Sequence, residues 1–309
     1  MKMGGSDELP VVDFSLLTTE DSEQRSKAIQ GLLEACRVWG FFILVNHGIP
    51  EAVTKALFSA AKEFFELPEV EKKQYEVDLY TLSLMKYGTH NVAYTPSNIL
   101  HLWRNSLRLY LHPDELHFPH KPDLLREVLP EYSEGNKRVV KTLMEAIADA
   151  LELDRDCVDE ILKLDSSFQV FAANSYPPCP DAGRAAGLPP HTDAGLFTTV
   201  VHNGVPGLQI QKNGQWIDVE SETKNSVWVV VADQLEIFSN GRCKSVRHRV
   251  LVNDETERVS IAVSNGPDLA ATVRPAAALV EKDGRALFPA TVFKEFMEAK
   301  YVRKKAEGD

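Results

Sequence analysis

In Leu188-Pro189-Pro190-His191-Thr192-Asp193-Ala194-Gly195-Leu196-Phe197-Thr198-Thr199-Val200-Val201, an imidazole and a carboxylate stand two residues apart just ahead of an apolar run. In extended backbone, residues two apart project to the same side, so His191 and Asp193 can meet one ion. A second H-x-D, His112-Pro113-Asp114, has proline at its centre and reads as a turn, so the first is the better metal candidate. From Phe168 onward, short apolar runs with period two are separated by turns every ~8–12 residues, the signature of antiparallel strands in a sandwich or barrel. Asn213-Gly214 and Asn240-Gly241 supply the positive φ that tight turns require.

Upstream, the period changes. Ile29, Leu32, Leu33 and Cys36 recur at helix spacing after Ser22, and Val53, Ala56, Leu57, Ala60 and Phe64 repeat the pattern after Pro50. Phe41 to Val45 reads as a buried strand running into the turn Asn46-His47-Gly48. A further helix is expected from about Pro130 to Leu153, bent near Gly135. Residues 78–122 mix aromatics, histidines and prolines without a steady period, which predicts a long irregular segment covering a pocket. Within it Tyr87, His90, Tyr94 and Trp103 offer flat apolar faces suited to an aromatic or polycyclic small molecule, Trp103 being better explained as core. Residues 1–120 are expected to form an N-terminal helical and mixed region and residues 121–309 a helix plus the β core, together one compact catalytic unit.

Composition narrows the function. With 309 residues and 44% hydrophobic content the chain can bury a substantial core, and its net charge of −11 repels nucleic acid phosphates. No apolar stretch approaches the roughly 20 residues of a bilayer-spanning helix. The four cysteines form no C-x-x-C pair, and no apolar signal core is present near residue 1, so a reduced, cytoplasmic monomer with a small-molecule partner is expected.

The third ligand proposed is His248, in Val246 to Val252. Alternation puts Val246, His248, Val250 and Val252 on one face, so the imidazole points inward with the valines. Two histidines and one carboxylate suit a facial triad with open positions on non-haem Fe(II), although zinc hydrolases use the same ligand types. In Arg258-Val259-Ser260-Ile261-Ala262-Val263-Ser264, Arg258, Ser260, Ala262 and Ser264 share a face. Turned inward, Arg258 needs an anion, and a small dicarboxylate fits: its far carboxylate would bond Arg258 and the Ser260 hydroxyl, and its 2-oxo acid end would chelate iron.

These motifs, with Trp39-Gly40-Phe41-Phe42, Asn46-His47-Gly48-Ile49-Pro50, Asn174-Ser175-Tyr176-Pro177-Pro178-Cys179, Asp233-Gln234-Leu235-Glu236-Ile237 and His248-Arg249, resemble the plant-type Fe(II)- and 2-oxoglutarate-dependent dioxygenases over nearly the whole chain. The resemblance implies a mixed α and β fold with a double-stranded β-helix (jelly-roll, cupin-like) core flanked by helices. It also implies Fe(II) on His191, Asp193 and His248, with Arg258, Ser260, Tyr176 and Asn174 contacting 2-oxoglutarate, O2 as oxidant and ascorbate as reductant. The implied reaction decarboxylates 2-oxoglutarate to succinate and CO2 while hydroxylating or desaturating a small specialised metabolite, a flavonoid or phenolic acid favoured. Tyr87, His90, Tyr94 and Ser264 are the candidate substrate contacts. Ser264 and Asn265 stand close to where flavonoid-oxidising members carry a stacking Phe, so one flavonoid contact is lost. Two alternatives remain open: an Fe(II)/O2 oxidase of this fold that does not use 2-oxoglutarate, and a non-catalytic binding module. Asp233 to Ile237 reads as a strand-bounding turn.

Overall fold

Alternation along Arg258–Gly266 decides on which side the core lies. Val259, Ile261 and Val263 are buried in the hydrophobic core, and Arg258, Ser260, Ala262 and Ser264 line a cavity on the opposite face. The computed structural model describes residues 8–76, 85–90, 93–95, 98–112, 115–220 and 223–306. The strands that carry the argument are β1 (Val11–Asp13), β2 (Phe41–Val45), β3 (Met85–His90), β4 (Arg104–His112), β5 (Phe168–Tyr176), β6 (Leu188–His191), β7 (Phe197–His202), β8 (Leu208–Lys212), β9 (Gln215–Asp218), β10 (Val227–Val231), β11 (His248–Val250) and β12 (Arg258–Gly266).

They form two facing layers. The main sheet runs β1-β2-β10-β7-β12-β5-β4-β3, and the smaller one β6-β11-β8-β9. All ladders named here except β1–β2 are antiparallel, as the period-two pattern predicts, and the two layers make the jelly-roll core that the resemblance implies. The β8–β9 hairpin closes on Asn213 and Gly214 at φ 51° and 79°, both in the left-handed region.

The main sheet is backed by helices. α1 (Ser22–Val38) starts at Asp21, whose carboxylate accepts from the N–H groups of Glu23 and Gln24, and α2 (Glu51–Glu66) follows Pro50. α3 (Asp123–Ala150) packs on both. Leu57, Phe64, Leu143, Met144, Phe171, Phe197 and Ile261 belong to one buried cluster, each apolar side chain contributing roughly 1.5–3 kcal/mol by leaving water. A buried polar chain fixes α3 to the sheet. Ser133 donates to Gln169 at 2.5 Å, Gln169 donates to Asn265 at 2.7 Å, and Thr199 donates to Asn136.

Three expectations are corrected. α3 is continuous and starts earlier than predicted, carrying Pro130 within its first turns. Residues 78–122 are not a structureless cover: β3 and β4 extend the main sheet, because Leu107, Leu109 and Leu111 alternate into the core. Residues 77–84 lie outside the described residues, as do Pro113 and Asp114 of the second H-x-D. Finally, Asp233–Phe238 is a helical turn, α4, whose Gln234, Leu235, Ile237 and Phe238 are buried.

Candidate functional site

The register of the smaller sheet brings the histidines together. His191 at the end of β6 faces His248 at the start of β11, with Ile210 of β8 on the other side of His248. The two rings lie 4.2 Å apart between centroids. Asp193 follows on a loop stitched to the main sheet, where the Leu196 N–H donates to the Asn265 carbonyl at 2.7 Å. Its carboxylate sits 3.5 Å from His191 Nε2 and 3.7 Å from His248 Nε2. One ligand atom from each of the three side chains lies within 4.8 Å of the other two.

The tautomers follow from the backbone. His191 Nδ1 is 2.9 Å from the Pro189 carbonyl and His248 Nδ1 is 3.2 Å from the Val246 carbonyl. A carbonyl only accepts, so each Nδ1 carries a hydrogen and each Nε2 is turned towards Asp193, where a metal ion would take the place of an Nε2 proton. Burial pushes the Asp193 carboxyl up, but the two imidazoles outweigh it and hold the group well below the usual carboxylate range. Two nitrogen donors and a carboxylate, oriented from behind and clustered this tightly, fit a divalent first-row metal with open coordination positions.

The other end of the cavity asks for an anion. Arg258 is 1% exposed, yet its Nε and Nη1 have no hydrogen-bond partner. Its guanidinium lies over the Tyr176 ring at 5.3 Å, and Gly207, at φ 145°, passes so close that a Cβ there would approach the Arg258 side chain at 3.1 Å. Ladder pairing aligns Arg258 with Tyr176 and Ser260 with Asn174, so all four share one cavity face with the metal-binding side chains opposite. The donors thus arranged fit 2-oxoglutarate, whose carboxylate would satisfy the orphaned guanidinium.

The chain is similar to known proteins over most of its length. The profile of the 2OG-Fe(II) oxygenase superfamily matches residues 167–267, and that of the non-haem dioxygenase in morphine synthesis N-terminal family matches residues 9–131. 2-Oxoglutarate-dependent dioxygenase 19 of Oryza sativa subsp. japonica is 38% identical, the alignment covering 94% of this chain and 85% of that protein. Flavonol synthase 1 of Crocosmia x crocosmiiflora is 33% identical, covering 95% and 86%. The crystal structure of JOX2 in complex with 2OG, Fe and JA superposes with a TM-score of 0.80 at 31% identity, covering 93% of this chain and 83% of that one. The chain belongs to the 2OG-Fe(II) oxygenase superfamily. It is a 2-oxoglutarate-dependent dioxygenase, an enzyme that uses Fe(II), 2-oxoglutarate and O2. Among the described residues, no helix is long and apolar enough to cross a membrane.

The substrate-contact candidates separate. Ser264 lines the cavity. Tyr87 does not. It is 2% exposed and packs edge-on against Phe64 of α2 at 5.8 Å, because β3 turns this side chain towards the helices. His90 and Tyr94 have described backbone, but their side chains lie outside the described residues.

Several cavity residues escaped the sequence reading. Arg104 and Arg108 of β4 line the cavity, as do Phe293, Met297 and Lys300 of α5 (Phe293–Ala306). Asp233 sits behind the metal-binding loop. Its N–H donates to the Asp193 carbonyl at 3.0 Å, and its carboxylate accepts from the Ser245 hydroxyl at 2.6 Å and from the Lys300 ammonium. Lys300 also donates to the Thr192 hydroxyl at 3.0 Å. Read as a mere turn, Asp233 gave no signal; only the fold places it beside Thr192. Asp233→Ala is expected to weaken Fe(II) binding by about 10- to 100-fold, as losses behind metal ligands do, measured by anaerobic Fe(II) titration.

Proposed function

We propose that His191, Asp193 and His248 hold Fe(II), that Arg258 and Ser260 receive the distal carboxylate of 2-oxoglutarate, and that the enzyme oxidises a small aromatic or polycyclic metabolite. The observation that supports this most directly is the juxtaposition, in a single cavity of ≈180 Å³, of three converging ligand side chains and a buried guanidinium without a partner. Fe(II) with 2-oxoglutarate and O2 supplies the oxidising power, releasing succinate and CO2.

The protein's part is positional. Pro189 and Val246 carbonyls fix both rings so that Nε2 faces the metal position. Arg258 sets the direction in which the cosubstrate lies, and Tyr176 walls it in. Leu188, Leu208 and Val250 exclude water around its chain. Substrate enters beside Phe168, Val170, Ser264 and Phe293, where the lining is mostly apolar. A relative named flavonol synthase 1, and the JOX2 structure that holds JA, support a small specialised metabolite as substrate.

The test incubates the purified chain with Fe(II), 2-oxoglutarate, ascorbate and air against a panel of flavanones, phenolic acids and hormone-like acids. Succinate is expected to accumulate in step with a product one oxygen heavier or two hydrogens lighter than one panel member. Stoichiometric product without succinate would overturn the assigned cosubstrate role.

A further inference from the structure

The cavity carries more positive charge than iron and 2-oxoglutarate can absorb. Arg104, Arg108, Arg258 and Lys300 line it, against Asp193 as the acidic lining residue. Lys300 is already neutralised by Asp233. With the site loaded, Fe(II), the Asp193 carboxylate, the two carboxylates of 2-oxoglutarate and Arg258 cancel. Arg104 and Arg108 remain, and among the described residues neither has a carboxylate partner. Arg104 is 5% exposed and its Nε lacks a hydrogen-bond partner. Burial first, and then repulsion from Arg108, push it down to about 10, with Tyr176 working the other way. Arg104 has Tyr176 as a partner, whereas Arg108 has no carboxylate among the described residues, which leaves the cavity short of an anion.

Register says where that anion would sit. On β12 and β5, Arg258 pairs with Tyr176, Ser260 with Asn174, and Ala262 with Ala172; on β4, Arg108 lies opposite Ala172. Arg108 is therefore two same-face rungs along from the Arg258–Tyr176 rung. Beside it on that rung, the methyl groups of Ala172 and Ala262 line the cavity, followed by Val200. That pair makes a shallow floor on which a flat ring can rest, its acidic substituent reaching Arg108 and its ring facing the metal position. Arg104, four residues before Arg108 on the same face of β4 and more deeply buried, stands next to Tyr176 and adds to the positive potential at that end.

We infer that the substrate is an organic carboxylate, anchored through its carboxyl group by Arg108. This rests on the oxygenase reading above and names the substrate class for it. A carboxylate is the matching chemistry because a guanidinium presents two parallel N–H donors to its two oxygens. Like-charge repulsion between Arg104 and Arg108 is relieved when the anion arrives, so acid and neutral forms of one compound are sharply distinguished.

The test uses the full chain loaded with Mn(II) and 2-oxoglutarate, titrated calorimetrically with benzoate, cinnamate, phenylacetate and 2-naphthoate, each beside its methyl ester. At least one acid is expected to bind, with its ester weaker by about tenfold or more. Arg108→Leu is expected to lose about tenfold or more for that acid, and Arg108→Lys to recover part of the loss. Binding of 2-oxoglutarate, followed separately, serves as the folding control for both variants. Esters that bind as well as their acids, an Arg108→Leu variant with undiminished acid binding, or a series in which no acid binds would overturn the inference. Succinate formation by the wild type tests the reaction itself; its absence would remove the oxygenase reading while the acid-against-ester result still decides the subsite.

Discussion

His191→Ala is expected to lose Fe(II)-dependent succinate formation by about 10³-fold or more, since a bound metal contributes several kcal/mol to the reaction and tenfold corresponds to each 1.36 kcal/mol. Three donors clustered within 4.8 Å leave no spare ligand in the set, so removing one nitrogen leaves Asp193 and His248 to hold the ion alone. His191 is only partly buried, and its ring packs on His248, so the substitution removes a ligand without opening the main core. Melting temperature should therefore move little while iron affinity collapses. Chelation of the wild type should reproduce the defect, and re-added Fe(II) should restore the wild type but not the variant. A His191→Ala protein that keeps both its iron and its succinate production would mean that the metal sits elsewhere. Asp193→Asn should behave alike, because the two imidazoles that favour the carboxylate can do nothing comparable for a neutral amide.

How much of this was legible without coordinates depended on whether a feature is local. His191 and Asp193 are two apart on extended chain, and Arg258 and Ser260 alternate against Val259 and Ile261, so strand period alone assigned their faces. His248 followed for the same reason, as the buried faces of Val246 and Val250 attest. Leu107, Leu109 and Leu111 carried the same period-two signal, but it was submerged among the prolines and histidines around it, and β4 went unseen. With it went the placement of Arg104 and Arg108, of which Arg108 neighbours Ala172 on the adjacent strand and Ala262 one strand further. Tyr87 was misplaced for a related reason: an aromatic in an unassigned segment has no face, and β3 turns it onto Phe64. Asp233 and Lys300 are far apart in sequence and meet only because α5 returns across the cavity. Local alternation thus specifies which way the candidate ligands face, and long-range packing specifies the charge and shape of the cavity around them.

Arg258→Met should separate binding from stability in opposite directions. In the wild type without 2-oxoglutarate, a guanidinium 1% exposed has two nitrogens without partners, a state that costs free energy in the folded protein. Methionine fills a similar volume without charge, so the variant should be as stable as the unliganded wild type or more so, by about 1–3 kcal/mol. That corresponds to a few °C in melting temperature. Affinity for 2-oxoglutarate should fall by about 30- to 4,000-fold, the loss of about 2–5 kcal/mol that follows truncating one member of a buried charge pair. Added 2-oxoglutarate should accordingly raise the melting temperature of the wild type, by about 2.7 kcal/mol of stabilisation at a hundred times its Kd, and stabilise the variant by less than about 1 kcal/mol at the same concentration. The pH response gives an independent sign. His202, stacked on Trp228 at 3.9 Å, is pushed down to about 4 by burial and then by the Arg258 charge. A histidine depressed in the folded state contributes stability that is present above its unfolded value near 6.5 and is lost as pH falls from there through about 4. Removing the Arg258 charge takes away the second cause, so Arg258→Met should lose less stability than the wild type over that window. A variant that still binds 2-oxoglutarate like the wild type, or that melts far below it when both are unliganded, would mean that Arg258 is paired in the folded protein and that the cosubstrate carboxylate goes elsewhere.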